Sequence, residues 1–185
     1  IEDNDAINTV GEKYVAWTWH VNAGTTSANS DGSGASIAST IQANQDAGIS
    51  IVTYDGTGSS GTIAHGLSQA PDVMFIKNIT STGGTGTNID WVYYHHHLPT
   101  PETGYLVPSR NYAKNNFGTD DYFGNTNPTN KVFHVAADVH TNAGGGAQYL
   151  AYCWHEVEGY SKMGEFEGNG NVNGPFIYTG FLPQY

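Results

Sequence analysis

Tyr149-Leu150-Ala151-Tyr152-Cys153-Trp154-His155 is the stretch whose reading decides the fold. Aromatic and aliphatic side chains crowd it, and Gly144-Gly145-Gly146 leads into it. It is too short and too rich in aromatics for a helix, so it reads as a β-strand with apolar groups on both faces. The same pattern stands near the start of the chain, as Tyr14-Val15-Ala16-Trp17-Thr18-Trp19-His20. A second echo links Gly48–Pro71 with Gly159–Pro183. In it Tyr54-Asp55-Gly56-Thr57-Gly58 matches Phe166-Glu167-Gly168-Asn169-Gly170, and His65-Gly66-Leu67 matches Thr179-Gly180-Phe181. Repeats near both ends are the mark of a piece of a modular array.

Working outward, alternation continues with few interruptions. Strands are expected over 14–21, 49–54, 62–65, 73–77, 89–97, 131–136 and 148–157, with a hairpin-like pair at 163–167 and 176–181. Segment 73–77 is apolar enough to be central, and 105–107 reads as a further short strand. In 89–97 the alternation puts Trp91, Tyr93 and His95 on one face and Val92, Tyr94 and His96 on the other. Residues 37–42 fit a short helix or an irregular edge strand. No segment sustains a 3.6-residue apolar period. The expected fold is therefore all-β, a jelly-roll-like β-sandwich with long Gly/Ser/Asn/Thr-rich loops. Two units are expected: 1–47, the end of a preceding module with a polar junction, and 48–185, the sandwich module, continuing into or completed by a neighbouring copy.

Composition narrows the function. The formal net charge is −11, with six basic residues in the whole chain. That excludes binding to nucleic-acid backbones or anionic membranes, which takes a cluster of Lys and Arg. Only 12% of residues are charged, while glycine reaches 24. Asn, Ser and Thr supply the surface polarity instead, as suits short strands joined by tight turns. No stretch is long enough to span a membrane. The single cysteine, Cys153, lies in an apolar run and reads as a buried small hydrophobe.

The last third also carries a resemblance. Tyr149 to Trp154, Gly159-Tyr160-Ser161-Lys162-Met163-Gly164, Gly168-Asn169-Gly170 and Gly174-Pro175-Phe176-Ile177-Tyr178-Thr179-Gly180-Phe181-Leu182-Pro183 form one string. It resembles a tandem β-rich domain family of tailed-phage virion proteins, common in marine and cyanobacterial phages. Ser50 to Tyr54, His65-Gly66-Leu67, Ala70-Pro71-Asp72, Val73 to Lys77, Trp91 with Tyr94-His95, Tyr105-Leu106 and Pro128-Thr129 fit the same family. The resemblance covers Gly48 to the end, and Tyr14 to His20 looks like the tail of a preceding copy. It implies a non-enzymatic structural module of a tail fibre, spike or decoration protein, located in the virion and outside the cell. The implied partners are copies of itself, a trimer being favoured, other virion proteins, and a host-surface glycan. The alternatives are a carbohydrate-binding or adhesion module of a secreted protein, and a polysaccharide depolymerase.

Candidate sites follow from side-chain chemistry. Tyr93, Tyr94, Tyr105, Tyr112, Tyr122 and Phe123 cluster around the turn-dense region 98–130, where rings flanked by Asn, Asp and His suit stacking on sugars. Packing in the core is the competing reading. His95 and His97 share a strand face in a run of three histidines, a spacing that can hold a divalent metal; ordinary aromatic packing competes. Glu165 and Glu167 would share a face in a strand, and paired carboxylates are what glycoside hydrolysis requires; a half-solvated strand gives the same pattern. Asp120-Asp121 and Asp3-Asn4-Asp5 carry hard oxygens without the full spacing of a calcium loop. Gly56-Thr57-Gly58 and Gly168-Asn169-Gly170 read as hairpin turns.

Overall fold

A computed structural model describes residues 9–16, 18–21, 26–27, 33–80, 89–108 and 121–183. Among them are eight strands: β1 (Thr26–Ser27), β2 (Ser39–Asn44), β3 (Ile49–Asp55), β4 (Gly61–Ala64), β5 (Val73–Asn78), β6 (Val92–His95), β7 (Val132–Val135) and β8 (Gln148–Trp154). They form a six-stranded sheet in the order β1-β2-β3-β8-β5-β6 and a two-stranded sheet β4-β7, with every pairing between strands antiparallel. β3 lies beside β8 and β4 beside β7, so the β3–β4 strand pair folds back against β7–β8. That nested pairing is the jelly-roll pattern, and the protein is an all-β sandwich.

The apolar alternation puts one face of each strand into the core. Val52 and Tyr54 of β3, Met74 and Ile76 of β5, Val92 and Tyr94 of β6, and Tyr149, Ala151 and Cys153 of β8 point inward, toward Ile63 of β4 and Phe133 and Val135 of β7. As the sequence suggests, β5 is interior, between β8 and β6. The Tyr54 and Tyr149 rings stack with centroids 5.1 Å apart, and Phe133 meets Tyr54 edge-on.

Buried polar groups at the β3–β4 end are satisfied in detail. The Tyr149 hydroxyl accepts from the Ala143 N–H at 2.7 Å and donates to the Val139 carbonyl at 2.9 Å. The Tyr54 hydroxyl donates to the Thr141 carbonyl. Asn142 Oδ1 accepts from the Thr57 N–H and its Nδ2 donates to the Ser59 carbonyl. Loop 136–147 is thereby bolted to the turn after β3, since each bond lost would strand a buried polar group. The approach is so close that a Cβ at Gly56 would stand 2.0 Å from the Ala143 carbonyl oxygen.

The structure decides 37–42 between its two alternatives and revises two of the expected strand regions. The boundary at 47/48 separates β2 from β3, which pair along their whole length, and Ile37 and Ile41 are core residues. The sandwich therefore includes 33–47. Segment 37–42 belongs largely to β2, not to a helix. No strand forms in the described part of 14–21, and none forms at 163–167 or 176–181. The physical reason is the same for both: these segments carry strand patterning but, among the described residues, have no neighbouring strand to complete their hydrogen bonds.

Candidate functional site: an aromatic sheet face and two apolar arms

The outer face of the large sheet is not the polar surface that an antiparallel sheet usually turns to water. Phe75 on β5, Trp91 and Tyr93 at β6, and Tyr152 and Trp154 on β8 all point to it, and each is half-buried. Phase explains the arrangement, because each alternates with an inward residue of the core. Phe75 is the hub, with ring centroids 4.5 Å from Tyr93, 5.8 Å from Trp154 and 6.4 Å from Trp91. Tyr152 bridges Trp91 at 6.2 Å and Trp154 at 5.8 Å.

Two arms leave the sandwich. The amino-terminal arm touches the aromatic face through Trp19, edge-on to Trp154 at 5.9 Å, and its His20 carbonyl accepts from Asn44 Nδ2 at 3.1 Å. Tyr14 and Val15 face solvent, Val15 at 76% exposure. The carboxy-terminal arm leaves β8 at His155. Its root is fixed: Asp72 accepts from the Glu156 N–H at 2.7 Å and pairs with His96 Nδ1 at 2.9 Å. Burial disfavours the Glu156 carboxylate, but Lys162 Nζ at 2.6 Å and the Met163 N–H at 3.0 Å outweigh that and lower its pKa. Beyond Met163 the arm has no strand partner among the described residues, and Phe166, Val172, Phe176, Ile177, Tyr178 and Leu182 are exposed.

Most of the rings expected to form a sugar platform around 98–130 are buried. Tyr94, Tyr105, Tyr122 and Phe123 are core side chains, all under 10% exposed. Tyr94 packs edge-on to Phe123 at 5.5 Å and Tyr105 edge-on to Tyr122 at 4.4 Å. Burial also raises the Tyr94 hydroxyl to a pKa of about 12, with Asp72 and Glu102 adding to the shift. A residue with no free ring face cannot stack on a ligand. Tyr93 alone of the described set lies on the outer face, and Tyr112 lies outside the described residues.

The three histidines pack on one another and do not frame an open ligand site. His95 and His97 do come together, with ring centroids 5.5 Å apart, but His95 Nδ1 accepts from the His97 N–H. His96 stacks on His97 and is tied to Asp72. Burial lowers the His95 pKa, the neighbouring histidines adding to the effect. Among the described residues no three His, Cys, Asp or Glu side chains converge as metal ligands. His65 is elsewhere, wholly buried: its Nε2 donates to the Thr129 carbonyl and its Nδ1 accepts from the Leu67 N–H, which fixes the tautomer.

The remaining chemistry-bearing residues are equally plain. Cys153 is buried, and desolvation lifts its thiol to about 12, so it is not a nucleophile at neutral pH. Glu165 and Glu167 are exposed on the arm and belong to no strand, so no shared strand face sets them side by side. Asp121 accepts from both the backbone and the side-chain amide of Asn125. Asp3, Asp5 and Asp120 lie outside the described residues.

Sequence reasoning named Trp91 and Tyr93 for one strand face but did not extend it to Phe75, Tyr152 and Trp154. The signal was available in the apolar outward phase of the β5 and β8 patterns. Comparison with curated proteins and with solved structures finds no match. A family model matches residues 1–185, and the chain belongs to that family, a domain of unknown function designated DUF7483.

Proposed function

We propose that this chain is a non-enzymatic structural module of a tailed-phage virion, part of a tail fibre, spike or decoration protein. It assembles with copies of itself, a trimer being the favoured state, and with other virion proteins on the outside of the particle. The observation that carries the reading is the pair of apolar arms: aromatic, exposed, and patterned like strands of the sandwich itself. A protein surface of that kind marks an assembly contact. The resemblance of the last third to phage virion domains supplies the setting. Mass spectrometry and immunogold microscopy of purified particles from the encoding virus test it. Stoichiometric protein on the particle is expected; protein confined to the particle-free lysate would end the reading.

A second reading, a carbohydrate-binding module, draws on one observation. Trp91, Tyr152 and Trp154 form a row on the outer face with centroid steps of 6.2 Å and 5.8 Å. Half-exposed aromatic rings suit contact with the apolar side of a sugar. Saturable glycan binding by the isolated protein, lost in Trp91→Ala, would favour this reading. Such binding also suits a virion module that contacts a host-surface glycan.

A further inference from the structure

The arms carry sequence that the fold already explains elsewhere. In the sandwich, β3 and β8 run antiparallel with Tyr54 opposite Tyr149, Thr53 opposite Leu150 and Val52 opposite Ala151. The amino-terminal arm repeats β8: Tyr14 stands for Tyr149, Val15 for Leu150, Ala16 for Ala151, Trp19 for Trp154 and His20 for His155. The carboxy-terminal arm repeats β3 and its turn. Phe166 stands for Tyr54, Glu165 for Thr53 and Glu167 for Asp55, followed by Gly168-Asn169-Gly170 for Gly56-Thr57-Gly58. It has one residue more than β3 between its leading glycine and its aromatic, so the correspondence is fixed from the aromatic end.

Among the described residues the β3-like arm has no acceptor in its own sandwich. β8, the strand its pattern fits, is flanked by β3 on one side and β5 on the other. Among the described residues, the segment with β8 patterning that lies outside a sheet is the amino-terminal arm. Within one chain the two arms do not meet as strands. Trp19 is held on Trp154, while Tyr14 at 48% and Phe166 at 66% remain exposed.

We infer that the arms pair with each other between copies of this chain. The amino-terminal arm of one copy lies antiparallel to the carboxy-terminal arm of another, with Phe166 opposite Tyr14, Glu165 opposite Val15 and Gly164 opposite Ala16. Phe166 and Tyr14 then form an aromatic pair equivalent to the Tyr54–Tyr149 stack. Pairing satisfies backbone groups that each arm alone leaves to water, and covers rings that each arm alone exposes. The inference rests on the structural-module reading in needing a neighbouring copy, and it names the surface and register of that contact.

Disulfide trapping tests it in the full chain. Directly opposed residues of an antiparallel pair have Cα atoms about 4.5–5.5 Å apart, within reach of a disulfide. Val15→Cys and Glu165→Cys are made in separate chains, mixed and mildly oxidised; both positions are exposed, so melting temperatures match the native chain. Buried Cys153 stays out of the reaction. The expected product is a covalent dimer joined between positions 15 and 165, at least tenfold more abundant than that from Val15→Cys mixed with Val172→Cys. Two results overturn the inference: equal yields from the two mixtures, or closure of a Val15→Cys/Glu165→Cys double variant as a monomer. Particle labelling reads the virion role independently. Failure to trap with labelled particles discards the arm register alone, and trapping without labelling discards the virion setting alone.

Discussion

The β3–β4 segment and the carboxy-terminal arm echo each other in sequence and are opposites in structure. Tyr54 is 3% exposed and sits between Phe133 and Tyr149; its counterpart Phe166 is in solvent. Gly56 is wedged against Ala143, whereas a Cβ at Gly168 would meet nothing within 4 Å. Gly48, at φ +66, packs so tightly that a Cβ would stand 2.6 Å from the His155 carbonyl oxygen; Gly159, at φ +75, faces open space. What separates the regions is the partner. The β3–β4 segment is flanked by β8 and β7, and among the described residues no strand lies beside the arm. Strand propensity is a statement about fitting a pleated neighbour, and without the neighbour the same residues stay extended and unpaired.

The comparison predicts asymmetric mutational effects. The largest falls on Tyr149 against Tyr14. Tyr149→Ala removes a fully buried ring and the hydroxyl that holds Ala143 and Val139, and should cost about 4 kcal/mol in denaturant titrations. Tyr14→Ala should stay within about 0.5 kcal/mol in the dilute protein. Equal effects would break the comparison. Next, Gly56→Ala should destabilise by about 3 kcal/mol through overpacking, and Gly168→Ala by less than about 0.5 kcal/mol. A large effect at Gly168 would mean that the arm is already packed.

The third asymmetry is one of pH. His65 and its echo Thr179 both close a turn onto the residue two positions on, but only the imidazole titrates. Burial is the main cause that lowers the His65 pKa from 6.5 to about 4; the Thr129 carbonyl opposes this and His155 adds to it. The folded state therefore takes up its proton later than the unfolded state does. The His65 contribution is complete above pH 6.5, is lost as pH falls from there toward 4, and is level below. About 3 kcal/mol should disappear across that window. Replacing the imidazole, as in His65→Gln, should flatten that part of the profile relative to the native chain. An unchanged slope would show that other groups carry it. Smallest of all, Glu165→Gln should leave the melting temperature within a degree, because an exposed arm carboxylate contributes little to the fold.

Most of the sandwich was legible because core strands announce themselves by phase. Val52 and Tyr54, Met74 and Ile76, and Tyr149, Ala151 and Cys153 alternate as a half-buried sheet requires, and Trp91 and Tyr93 were rightly set opposite Val92 and Tyr94. Two things were not legible. Phase does not reveal whether a partner exists, so Tyr14 to Val21 and Met163 to Glu167 read as strands on the same grounds as β8 and β3. Nor does turn density reveal exposure. Among the described residues the second layer of the sandwich has two strands, and irregular segments supply cover over β5 and β6. Tyr105, Tyr122 and Phe123 do so, which is why rings expected in an exposed binding loop are core residues. The apolar outward phase of Phe75, Tyr152 and Trp154 was present in the sequence, but a doubly buried central strand has the same look.

The most direct measurement is amide hydrogen exchange of the arms at two protein concentrations. At high dilution the amides of 164–167 and of 14–16 should exchange freely while those of β3 and β8 stay protected. At high concentration the arm amides should gain protection together. Protection of the arms already at high dilution, or free exchange at both concentrations, would contradict the claim that these segments are strands awaiting a second copy.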